Sequence, residues 1–112
     1  MARLFSAYVI VDWSAASKPT TGADSVWIGV LKRDVRFRLA FESFNEATRV
    51  EAEARLNAIL ADLKKRSERA LVGFDFPLGF PRGFADALKA PGEPWRAAWD
   101  ELGKRVVDKP TN

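Results

Sequence analysis

The sequence contains no cysteine and no histidine. Without cysteine there can be no disulfide, thiolate metal centre, iron–sulfur cluster or thiol nucleophile. Without histidine the usual imidazole base and the commonest transition-metal ligand are missing, so a Ser-His-Asp hydrolase cannot be assembled within the chain. Long hydrophobic runs are missing too. The run Tyr8-Val9-Ile10-Val11 stops at Asp12, far short of a bilayer span or a signal-peptide core. No membrane partner is expected, and a cytoplasmic home is the default expectation. Neither sign of charge is in large excess: 18 Lys and Arg against 15 Asp and Glu leave +3. That surplus would help a phosphate-bearing partner approach, but it is weak evidence for nucleic acid. What remains for chemistry is carboxylates, hydroxyls, Lys, Arg and hard oxygen-seeking cations such as Mg²⁺ or Mn²⁺.

What is present fits an ordinary soluble domain. The 112 residues are 47% apolar and 29% charged, which suits one domain over residues 1–112 with a modest core. Tyr8–Val11 reads as a strand buried on both faces. After a polar stretch from Ser14 to Asp24, residues 25–31 read as a second strand, with Val26, Ile28 and Val30 on one face. A turn at Lys32-Arg33-Asp34 leads to residues 35–41, whose alternation points Val35, Phe37, Leu39 and Phe41 inward. Asn45 is a suitable N-cap for a helix over residues 46–66, with Val50, Ala52, Leu56, Ile59, Leu60 and Leu63 on its apolar side. Residues 70–76 read as another two-sided apolar strand, followed by the proline- and glycine-rich loop Pro77–Gly83. A helical turn at 84–88 and a last helix opening at Pro94 complete the chain. Trp95 and Trp99 fall one turn apart on that helix, and core packing is the expected use of both.

A helix between the third and fourth strands lets the fourth lie parallel beside the first. Asp12 and Asp75 would then stand together at the carboxyl ends of neighbouring parallel strands, where open α/β sheets place their ligands.

The βββαβ order and these two aspartates resemble the ribonuclease H-like superfamily. The segments Val11-Asp12-Trp13-Ser14-Ala15 and Gly73-Phe74-Asp75-Phe76-Pro77-Leu78-Gly79-Phe80-Pro81 are most similar to its uncharacterised branch of predicted RNase H-like nucleases. The resemblance spans residues 6–81. It implies an α/β fold with a mixed sheet and a divalent-metal-dependent hydrolase of phosphodiester bonds in nucleic acid. Asp12 and Asp75 would be the catalytic carboxylates and metal ligands, and a helix glutamate would be the third ligand. Glu53 is the candidate, about 60° around the helix from Leu56, with Glu46 as an alternative. The expected fifth strand has no counterpart, so the chain reads as a reduced form or as the N-terminal fragment of a larger domain. The missing strand leaves a sheet edge unpaired, which invites a homodimer through that edge or through the Trp95/Trp99 helix.

Other uses of the same residues stay open. In actin- and sugar-kinase-like relatives of this fold the hairpin after the first aspartate embraces phosphates. Ser14 and Lys18, in a stretch with Ser17, Thr20, Thr21 and Gly22, have the character such a cofactor-binding cradle needs. A nucleotide- or phosphometabolite-binding protein is therefore one alternative, and a catalytically silent association domain is another. Phe80 and Arg82 offer a stacking ring and a phosphate contact, or a core plug and a solvated cation. Asp12 and Asp75 themselves could simply cap the turns after their strands.

Overall fold

The computed structural model describes residues 3–112. They form two compact units, one running to Phe76 and taking in Pro110–Asn112, the other spanning Pro77–Lys109.

The first unit is a mixed α/β structure with an open four-stranded sheet. Its elements are β1 (Ala7–Asp12), β2 (Val26–Arg33), β3 (Leu39–Glu46), α1 (Arg49–Lys65) and β4 (Ala70–Asp75). The sheet order is β3-β2-β1-β4, with β1 antiparallel to β2 and parallel to β4. Alternation divides each strand between two faces. One face carries Ala7, Val9 and Val11 of β1 and Val26, Ile28 and Val30 of β2, all buried. Ala52, Leu56 and Leu63 of α1 close over it, with Phe44, Ile59, Leu60 and Val72 packed around them. Their spacing of three and four residues is the helical stripe that lets one helix roof a sheet.

The opposite face is open. Its side chains form rows across the strands: Leu71, Tyr8, Leu31 and Phe41; then Gly73, Ile10, Gly29 and Ser43; then Asp75, Asp12, Trp27 and Asn45. The two glycines make hollows that their neighbours fill. A Cβ on Gly73 would meet the Ile10 Cδ1 at 3.2 Å, and one on Gly29 would meet the Phe41 ring at 3.2 Å.

Several sequence expectations are corrected here. β1 is buried on one face only, since Ile10 is 58% exposed. β4 has a single neighbour and is an edge strand. The third strand starts later than expected. Asp34 makes a tight turn, its carboxylate accepting from the Arg36 and Arg38 amides at 2.8 and 2.9 Å while Phe37 takes a φ of 60°. Val35 and Phe37 thus lie in the turn, and Leu39 and Phe41 project from the open face. All four are exposed rather than inward. The Arg38 amide above all holds the Asp34 carboxyl below the usual carboxylate range against the opposing effect of desolvation, with the Arg36 amide and the Arg38 guanidinium adding to it.

The helix also starts later. Thr48, not Asn45, is its N-cap, and Glu51 closes a reciprocal capping box: the Thr48 hydroxyl accepts from the Glu51 amide while the Glu51 carboxylate accepts from the Thr48 amide. Val50, on this first turn, is exposed rather than part of the apolar side.

The second unit holds α2 (Phe84–Ala87) and α3 (Pro94–Arg105). Phe80 stacks on Phe84 with centroids 4.6 Å apart and meets Trp99 at 5.0 Å. Ala85, Ala97 and Ala98 are buried, whereas Trp95 is 69% and Trp99 40% exposed. The two tryptophans are therefore not the core pair expected, because the small alanines on α3 take the inner positions.

Leu63, near the C-terminal end of α1, is 2% exposed in the core. Leu63→Ala is expected to cost about 2–5 kcal/mol in urea unfolding. A loss under about 0.5 kcal/mol would place the helix's packing face elsewhere.

Candidate functional site

The site grows from the register of β1 and β4. Both strands run in the same direction and end together, with Asp12 and Asp75 as direct Cα partners. Neighbouring strands lie about 4.8 Å apart, and partnered residues project to the same face. The two carboxylates therefore stand side by side on the open face, and both residues are exposed. Among the described residues of this unit, neither carboxylate takes a hydrogen bond or an ion pair. Each is an acceptor group left to solvent. Two such charges side by side repel each other unless a cation intervenes.

The row continues across the sheet. Trp27 is the β2 partner of Asp12, and Asn45 is the β3 partner of Trp27. Trp27 is 39% exposed and donates from its indole Nε1 to the Gly22 carbonyl at 3.0 Å, which fixes the ring beside Asp12. Asn45 is a brace. Its Nδ2 donates to the Ser25 hydroxyl at 2.6 Å and the Val26 carbonyl at 2.9 Å, and its Oδ1 accepts from the Gly22 amide at 2.7 Å.

Between β1 and β2 the loop encloses a cleft of about 520 Å³, lined by Asp12, Ser14, Ala16, Asp24, Ser25 and Trp27 among others. Its wall is stapled from several sides. Ser14 is buried; its hydroxyl donates to the Asp24 carbonyl and accepts from the Ala16 amide at 3.1 Å. The Arg49 guanidinium donates to the Ala16 carbonyl at 2.8 Å, the Thr20 amide donates to the Ala47 carbonyl at 3.0 Å, and Asn112 donates to the Lys18 carbonyl at 3.3 Å. The amides of Ala16, Thr20 and Gly22 and the hydroxyl of Ser14 are thus committed to holding the loop, and an incoming phosphate would have to displace those bonds. Lys18 remains exposed on its rim.

The carboxylate candidates Glu53 and Glu46 do not join the aspartates in a metal-holding group among the described residues. α1 roofs the buried face, whereas Asp12 and Asp75 belong to the open one, and Glu53 is exposed on that helix. Glu46 is engaged by the Arg55 guanidinium at 2.6 Å. No group of three or more carboxylates able to hold a metal ion forms among the described residues. The structure thus brings together Asp12 and Asp75 and does not bring Glu53 to them. Phe80 is committed to its ring contacts within the second unit. Among the described residues, no helix is long and apolar enough to cross a membrane.

Trp27 and Asn45 were missed as candidates because their place in the row that holds Asp12 depends on strand register, which composition does not reveal. An asparagine next to the end of the strand was the local hint.

Comparison with protein-family models, with curated proteins and with solved structures returns no match to this chain.

Asn45→Ala is expected to cost about 1–3 kcal/mol, because the partners it leaves behind lose their hydrogen bonds. Hydrogen exchange at the Gly22 amide should accelerate selectively. Unchanged exchange there would show that the loop is held by other contacts.

Proposed function

We propose that this chain is a ribonuclease H-like domain that hydrolyses phosphodiester bonds in nucleic acid, using a divalent cation held by Asp12 and Asp75. The observation that carries this reading is the in-register pairing of two exposed, unpartnered aspartates at the carboxyl ends of adjacent parallel strands. A turn-capping aspartate would spend its oxygens on nearby amides, and these do not. The donor set suits Mg²⁺ or Mn²⁺, hard ions that keep most of their water and need only one or two carboxylates beside the substrate's own phosphate oxygens. When bound, such a cation polarises a phosphoryl group and acidifies coordinated water.

The chain's own residues do the rest. Asp12 and Asp75 present two negative charges that repel a polyanion until they are neutralised, so substrate binding and metal binding are coupled. Trp27, pinned by its indole N–H beside Asp12, offers a flat apolar surface on which a base can stack, worth about 1–3 kcal/mol per base. The braced loop from Ser14 to Ser25 keeps one wall of the cleft in place. The phosphate-cradle alternative draws less support, because the loop amides it would need are already bonded.

The test is thermal unfolding with and without metal. Removing one of two repelling charges should make Asp12→Asn melt higher than wild type in chelator. Millimolar Mn²⁺ should stabilise wild type by about 1–3 kcal/mol through mass action and leave Asp12→Asn unmoved. Cleavage of single-stranded or hybrid nucleic acid should disappear with the same substitution. If Asp12→Asn destabilises the metal-free protein and Mn²⁺ changes nothing, Asp12 is a structural residue and the reading fails.

A further inference from the structure

The two edges of the sheet differ in chemistry. β3 carries Glu42 and Glu46 and follows the charged turn at Asp34, the kind of margin that discourages a sheet from adding strands. β4 reads Ala-Leu-Val-Gly-Phe-Asp, with no lysine, no proline and no charge before its last residue. Its inner side is occupied: the Arg69 carbonyl accepts from the Ser6 and Ala7 amides at 2.9 and 3.2 Å, at the start of the ladder to β1. Backbone groups alternate sides along a strand, so Ala70, Val72 and Phe74 present their amides and carbonyls outward. Among the described residues β1 is the only strand paired with β4, so this outer edge has no ladder partner.

We propose that this edge pairs with the same edge of a second copy, joining two β4 strands antiparallel about a two-fold axis at Val72. Symmetry narrows the choice. A two-fold axis perpendicular to the sheet keeps the open faces on one side, so opposed residues must lie on the same face of their strands. Such registers also bring the outward backbone groups together, and the one centred on Val72 makes Val72 opposite the partner's Val72 and Ala70 opposite the partner's Phe74 the hydrogen-bonded pairs. Between them Leu71 falls opposite the partner's Gly73, and Arg69 opposite the partner's Asp75. These are the non-hydrogen-bonded positions, where side chains approach most closely.

The match is complementary in size and in charge. Phe74, 43% exposed, meets an alanine, and an exposed arginine meets an exposed aspartate. Opposite charges directly across a ladder favour pairing, and like charges there oppose it. Centring the axis on Leu71 or Gly73 instead separates Arg69 from Asp75 and loses this match. The inference does not rest on the phosphodiester reading: it needs the charge of Asp75, not a cation bound there.

Sedimentation velocity on the full chain over about 1–200 µM tests it, a range that spans micromolar dimer affinities. Wild type should show a monomer–dimer equilibrium that weakens with salt. Arg69→Glu and Asp75→Lys should each weaken the dimer about tenfold, since the two-fold axis applies every change twice. Combining them should restore affinity to within about twofold, because the swap recreates the facing pair. Arg69→Gln, which removes charge without reversing it, should weaken the dimer less and keeps the test valid should a reversed charge disturb the fold. A protein monomeric throughout the range overturns the proposal. So does a dimer indifferent to the Arg69 substitutions, which would place the interface elsewhere, or a double variant no better than the singles.

Discussion

The parallel pairing of β1 with β4 is the constraint on which the rest of the first unit depends. β1 lies between β2 and β4, so its alternation sets both faces at once. Val9 and Val11 hold the buried face under α1, and a shift of the β4 pairing by one residue would turn every β4 side chain to the wrong side. The register that packs Val72 against the core is the one that sets Asp75 beside Asp12. Core packing and the carboxylate pair are therefore not independent features. Apolar burial supplies the free energy that holds two mutually repelling carboxylates at neighbouring positions.

The second consequence concerns the open face. A sheet covered on one side normally alternates polar residues outward. Here the outward rows hold Leu71, Tyr8, Leu31, Phe41 and Ile10 before they reach the polar row of Asp75, Asp12, Trp27 and Asn45. Ile10 leaning over Gly73 and Phe41 over Gly29 fill what would otherwise be hollows in this surface. The candidate row is thus a polar margin on an apolar floor. Backbone pairing sets the positions of Asp12, Asp75 and Trp27, and the indole is held by Gly22, which Asn45 braces.

Much of this was legible in the sequence, wherever local chemistry and tertiary packing agree. The inward set Val26, Ile28 and Val30, the α1 stripe around Leu56 and Leu63, the Pro94 helix start and the parallel placement of the first and fourth strands all follow from periodicity and connection rules. The failures have definite causes. Val35, Phe37, Leu39 and Phe41 alternate as a buried strand would, but the Asp34 turn consumes the first two and hands the rest to the open face. Asn45 has the right chemistry for an N-cap, yet Thr48 and Glu51 satisfy each other reciprocally, and Asn45 is drawn to the loop instead. Two-sided apolar strands suggested central positions for β1 and β4. β1 is central, but its second side is uncovered, and hydropathy does not say what a face packs against. The candidate site divides in the same way. The aspartates were visible as strand ends; their neighbours Trp27 and Asn45 were not, and Glu53 could be judged only once the face roofed by α1 was known.

The central claim is that strand register makes Asp12 and Asp75 a single cation-binding pair on the open face. Paramagnetic broadening of backbone amide signals by Mn²⁺ tests it directly, because the effect marks only residues close to the bound ion. Titration at substoichiometric Mn²⁺ should broaden the amides around residues 11–14 and 74–76 first and together, leaving those around Glu53 on α1 sharp. Broadening centred on α1, on only one of the two strand ends, or spread evenly over the surface carboxylates would contradict the account.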